Sequence, residues 1–144
     1  MKTILRISCV VAMLGVVVAG CGSDRLPVAP VTGKVFYQGK PLEFGSVMFQ
    51  PDKGPAGRGT IQPDGSFTLS TYSEGDGAVI GQHKVRIASF ASQRPDHMAA
   101  PADAPHEPGV GHSQIPRKYS NLDTSGLRVE VKADNEPFEF HLTD

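Results

Sequence analysis

The strongest limit on the fold of this chain is a period-two alternation of apolar and polar side chains in short runs, each with glycine or proline at one end or both. Leu127, Val129 and Val131 alternate with Arg128, Glu130 and Lys132, and His83, Val85 and Ile87 alternate with Lys84, Arg86 and Ala88 within 82–90. Successive side chains of a strand point to opposite faces, so each run presents one apolar face and one polar face. Five more runs read the same way: 31–38 around Val31, Val35 and Tyr37; 46–50 with Val47 and Phe49, closed by Pro51; 57–62; 66–71 with Phe67 and Leu69; and 137–142 with Phe138, Phe140 and Leu142. No stretch carries apolar residues at i, i+3, i+4 and i+7 over three turns, so helix is essentially excluded. All 12 prolines and 14 of the 16 glycines follow residue 20, as frequent reversals require.

Seven strands with one apolar face each cannot be covered by a single sheet, so two sheets must stack. The expectation is an all-β, seven-stranded antiparallel β-sandwich. Pro63-Asp64-Gly65 is a hairpin signal that pairs 57–62 with 66–71, because proline presets φ, aspartate caps the turn and glycine takes positive φ. Ala133 to Glu136 is read as the turn of a terminal hairpin. Between Ala91 and Arg117 lies a stretch with five prolines and no periodicity, expected to be a structureless loop within the domain at 31–144.

Ahead of the domain, Lys2 and Arg6 precede an apolar run from Ile7 to Gly20, a charged n-region and a signal core. The run is shorter than the ~20 residues needed to cross a bilayer, and polar Ser23-Asp24-Arg25 follows at once. Residues 1–20 are therefore an export signal peptide. Val18-Ala19-Gly20-Cys21 resembles a bacterial lipobox, in which the cysteine thiol receives a diacylglyceryl group before cleavage and becomes the first mature residue. With Cys9 removed in the leader, Cys21 is the one cysteine left, so acylation also settles an odd thiol in an exported protein. Gly22 in place of Asp resembles lipoproteins released to the outer membrane. Residues 21–30, with two prolines and no periodicity, read as a lipidated tether. The location implied is the cell envelope, membrane-attached, at the outer membrane or facing the periplasm.

Several short motifs follow one another in a fixed order: Val31-Thr32-Gly33-Lys34-Val35, Gly39-Lys40-Pro41-Leu42, Val47-Met48-Phe49, Asp64-Gly65-Ser66-Phe67, Asp76-Gly77-Ala78 with Gly81, and Val85-Arg86-Ile87. Together they resemble the carboxypeptidase regulatory-like, transthyretin-like β-sandwich family (prealbumin-like, Ig-like), in particular its small bacterial lipoprotein members. Ile115-Pro116-Arg117-Lys118-Tyr119, Thr124-Ser125-Gly126-Leu127 and Phe138-Glu139-Phe140 resemble the ending those lipoproteins carry. The resemblance implies a non-catalytic accessory or scaffold module. His83 stands where Tyr would be expected, and its parity points it into the core as a hydrogen-bonded structural histidine. Hydrolase members acting on 5-hydroxyisourate end in a Tyr-Arg-Gly-Ser signature, whereas this chain ends Phe140-His141-Leu142-Thr143-Asp144.

Read for chemistry alone, the chain holds no Gly-x-Ser-x-Gly elbow, phosphate loop or His-Glu-x-x-His helix. His97, His106 and His112, with Asp96, Asp103 and Glu107, place metal-ligating types on the 91–117 loop, and a zinc- or copper-binding envelope protein is the alternative function. Ordering such a loop costs about 1 to 2 kcal/mol per residue, which favours a solvated loop. Asp64 and Asp76, each before glycine, read as turn residues, and Tyr119 as a ring that seats the returning chain while its hydroxyl finds a partner. The formal net charge of −1, or −3 once Lys2 and Arg6 are gone, provides no basic field for nucleic acid. No cofactor is implied. The partners expected are the membrane, through Cys21, and an unidentified protein or glycan.

Overall fold

The computed structural model describes residues 25–98 and 111–144, with positions 97 and 98 described in backbone only. Ten strands occur among them: β1 (Val28–Ala29), β2 (Thr32–Tyr37), β3 (Lys40–Pro41), β4 (Gly45–Pro51), β5 (Gly57–Ile61), β6 (Ser66–Thr68), β7 (Ala78–Val79), β8 (Gly81–Ala88), β9 (Leu127–Val131) and β10 (Phe138–Leu142). Among the described residues helix is confined to a four-residue turn at Pro95–Met98 and 3₁₀ turns at Ala91–Gln93 and Arg117–Ser120. The described chain is all-β, as the alternation requires.

One four-stranded sheet runs β5-β4-β8-β9, antiparallel throughout. In the other, β2 pairs with β10 and also with β6 along Thr32–Lys34 and β3 along Phe36–Tyr37. β1 and β7 form a two-stranded ribbon. The inner faces of both large sheets share one core: Val35, Phe67, Phe140 and Leu142 from one, Val47, Phe49, Ile61, Val85, Ile87 and Val131 from the other. Burial alternates along β4 and β8 as the sequence pattern demands. Phe49 is fully buried at the centre, its ring 5.6 to 6.3 Å from those of Phe67, His83, Phe138 and Phe140.

Long-range packing alters four of the sequence expectations. The terminal hairpin does not form: β9 pairs with β8, whereas β10 crosses to the other layer and lies parallel to β2. Crossing brings Phe138 and Phe140 onto Phe49 from the opposite sheet, and the wholly antiparallel arrangement gives way to one parallel pair. Asn135 holds the crossover, accepting from Lys132 N at 2.8 Å and donating to the carbonyls of Lys132 at 2.7 Å and Pro30 at 3.2 Å.

The reversal at 63–65 does close. Gly65 N donates to Gln62 O at 2.8 Å, Gln62 N donates to Ser66 O at 2.8 Å, and Gly65 takes φ 81°. Yet β5 joins β4 and β6 joins β2, so the two arms part into different sheets, linked again only at the Arg58–Ser70 bridge. On the β2 side, the Phe67 ring and the Phe138 carbonyl both lie closer to Gly33 than a Cβ there would tolerate.

Part of the expected tether belongs to the domain, since Val28–Ala29 pairs with Ala78–Val79 and Ala29 is buried. The ribbon forms because Gly77, at φ 92°, lets its backbone meet Ala29; a Cβ there would collide with the Ala29 carbonyl. The 91–117 loop is ordered at its described ends: Phe90 bridges Ser113, Gln114 N donates to Ser89 O at 2.8 Å, and Ile115 is buried in the core. Residues 99–110 of that loop lie outside the described residues.

Candidate functional site

Cys21 lies outside the described residues, which begin four positions later at Arg25. The same holds for His106. His97 falls on the Pro95–Met98 turn, and His112 is exposed, its main-chain carbonyl accepting from Ala91 N at 3.1 Å and Gln114 Nε2 at 3.4 Å. Among the described residues no three His, Cys, Asp or Glu side chains gather in a metal-binding group.

His83 is buried in the core, as its parity in the strand predicts. Its Nε2 lies 2.6 Å from the Val79 carbonyl, which can only accept, so Nε2 carries the proton and ties β8 to the ribbon. Nδ1 is buried with no partner. Tyr119 is likewise a packing residue whose hydroxyl donates to Thr143 O at 2.9 Å and accepts from Thr143 N at 3.2 Å.

A cleft of about 430 Å³ opens where β5 and β6 part. Its walls carry Thr60 and Gln62 on one side and Ser66, Thr68 and Ser70 on the other, Phe67 contributes to the lining, and Glu74-Gly75 form the rim. The positions on both arms have the parity opposite to core residues Ile61, Phe67 and Leu69, so the alternation that fills the core also turns a set of hydroxyls into the cleft. The bridge at Arg58 and Ser70 and the turn at 62–66 fix its two ends, with the Thr60–Thr68 level open between them.

The rim is held by hydrogen bonds. Ser70 Oγ accepts from Gly75 N at 2.8 Å, and the Asp76 carboxylate accepts from the backbone of Thr71, Tyr72 and Ser73 at 2.7, 2.9 and 2.9 Å. Partial burial pushes the Asp76 pKa up, but those three N–H groups outweigh it and hold the carboxyl below its ordinary value. Asp64 is also depressed, chiefly because Ser66 Oγ donates to it at 2.6 Å, with Ser66 N adding a bond at 3.0 Å. Both aspartates are turn residues, as expected from the glycine after each.

Hydroxyls donate and accept, an amide does both, and Glu74 only accepts when ionised, so the cleft offers alternating hydrogen-bond partners with a single titratable side chain in its lining. Such an inventory can hydrogen-bond a polyhydroxylated molecule. It has no histidine or thiol to activate a nucleophile. A second, smaller hollow of about 280 Å³ is lined by Glu43, Phe44, Pro63, Arg94 and Pro95, where the Arg94 guanidinium lies over the Phe44 ring at 5.3 Å. No protein-family model, curated protein or solved structure matches this chain.

Proposed function

We propose that the mature protein is a non-catalytic, lipid-anchored module of the cell envelope, a transthyretin-like β-sandwich of the carboxypeptidase regulatory-like kind that binds a glycan in the β5–β6 cleft. The observation that carries the anchor is Val18-Ala19-Gly20-Cys21 directly behind the apolar leader and only four residues ahead of Arg25, the first described residue. Each buried methylene contributes about 0.8 kcal/mol, and two acyl chains pass the point at which a single chain detaches readily. The family reading is supported by the motif order from Val31 to Phe140 and by two sheets sharing one core. The glycan reading is supported by the hydroxyl, amide and carboxylate lining of the cleft.

Changing Cys21 to Ala is expected to abolish labelling by a radioactive fatty acid and, because acylation precedes cleavage, to leave residues 1–20 on the chain. Undiminished fatty-acid labelling in the variant refutes the anchor. For the cleft, screening the protein on an oligosaccharide array and then titrating a captured sugar by NMR should shift the amides of Thr60, Gln62 and Ser70. Thr60→Val with Thr68→Val should weaken binding by roughly tenfold, the worth of one or two hydrogen bonds. Shifts confined to other surfaces would remove the cleft from the proposal.

A further inference from the structure

Among the described residues two large hydrophobic side chains are exposed, Leu26 at 38% and Ile80 at 40%, and both sit at the pole where the chain enters the domain. Ile80 N donates to Pro27 O at 3.0 Å, extending the β1–β7 ribbon toward Leu26. Leu26 and Val79 side chains flank Gly54. The entering strand also crosses Tyr72, whose hydroxyl accepts from Leu26 N at 3.1 Å and whose ring carries the Arg25 guanidinium at 5.3 Å. Two aliphatic side chains beside a tyrosine and an arginine match the composition of residues that settle at a bilayer interface, where an amphipathic ring and a snorkelling cation sit at headgroup depth.

The chain outside the described residues decides what can cover this pole. From Arg25 back to Cys21 is four residues, about 14 Å when fully extended. β8 starts at Gly81, beside Ile80, and runs eight residues to Ala88 at the opposite pole, roughly 23 Å away. A tether of that length cannot lead around the domain to lay the far end on the membrane.

We infer that the pole formed by Arg25, Leu26, Tyr72 and Ile80 lies on the phospholipid bilayer, with Leu26 and Ile80 seated among the headgroups and the cleft-bearing domain standing outward. The inference rests on Cys21 being acylated.

The test uses the full-length acylated protein in phosphatidylethanolamine–phosphatidylglycerol vesicles, with an environment-sensitive fluorophore on Ile80→Cys or, at the far pole, on Glu43→Cys. Both positions are exposed, so the fold is retained. The label at Ile80 should be blue-shifted and quenched by brominated lipid at least threefold more strongly than that at Glu43. Adding Leu26→Asp should reduce the quenching at Ile80 with the acyl mass unchanged. Equal quenching at the two poles overturns the inference while leaving the anchor intact, as does quenching that follows protein density rather than brominated lipid, which would place a second copy on the pole. A mass spectrum without acyl chains overturns the anchor itself and this orientation with it.

Discussion

Replacing Phe49 by alanine is expected to remove most or all of the stability of the domain. The side chain is fully buried, and its ring is the one point where aromatic residues of both sheets converge, with Phe67, Phe138 and Phe140 from one layer and His83 from its own. Deleting a buried phenylalanine ring costs about 3–5 kcal/mol where the surroundings collapse incompletely, and each lost ring pair adds about 0.5–1.5 kcal/mol. Domains of this size hold only about 5–15 kcal/mol in total. Phe49→Leu keeps most of the volume but none of the ring pairs, so its loss should be roughly half as large. Urea unfolding followed by far-UV circular dichroism reads both. A loss below about 1 kcal/mol for Phe49→Ala would mean that the two sheets are joined elsewhere.

The strands themselves were legible because alternation is a local property. β2, β4, β8 and β9 fall where apolar and polar residues take turns, and Pro51 ends β4 as a residue without a donor must. Pairing is not local. Ala133 to Glu136 can close a hairpin or hand the chain across to the other layer, and the choice is made by Phe49, whose ring receives Phe138 and Phe140 from the far side. The two-residue strands were invisible for the same reason: Val28–Ala29 gains its partner through Gly77, forty-eight positions from Ala29, with no period in its own sequence to mark it.

The site divides along the same line. The pattern that resembles a lipobox is contiguous, so the acylation proposed at Cys21 is argued from sequence alone, Cys21 lying outside the described residues. The cleft is not contiguous. Its hydroxyls at Thr60, Ser66, Thr68 and Ser70 were present as the polar half of the alternation, but that half usually faces water. Only the parting of β5 from β6, as β6 joins β2 and β5 joins β4, turns them toward each other. His83 was legible in both respects, because strand parity alone sends it inward and a buried imidazole needs a partner, here the Val79 carbonyl.

Asp76 makes the rim of the cleft sensitive to acid. Its folded pKa lies below the value of 3.8 it has when unfolded, so the contribution is fully present above about pH 4 and is lost as pH falls through the folded value. The slope of unfolding free energy against pH should therefore steepen below about pH 4, with stability rising as pH rises. Asp76→Ala leaves the N–H groups of Thr71, Tyr72 and Ser73 without an acceptor in a partly buried turn and should cost about 2–4 kcal/mol at pH 7. Asp76→Asn retains one acceptor oxygen but no titration, so it should cost less and flatten the acid slope. The slope that remains belongs to other depressed carboxyls, Asp64 beside Ser66 and Asp123, which accepts from Lys84 Nζ at 2.9 Å. Urea melts between pH 2.5 and 7 at constant ionic strength make the comparison. If Asp76→Asn follows the wild-type slope throughout, the three hydrogen bonds are no stronger to the carboxylate than to its neutral form, and the rim must be held by Ser70 and by Thr71 Oγ1 donating to Gly77 O.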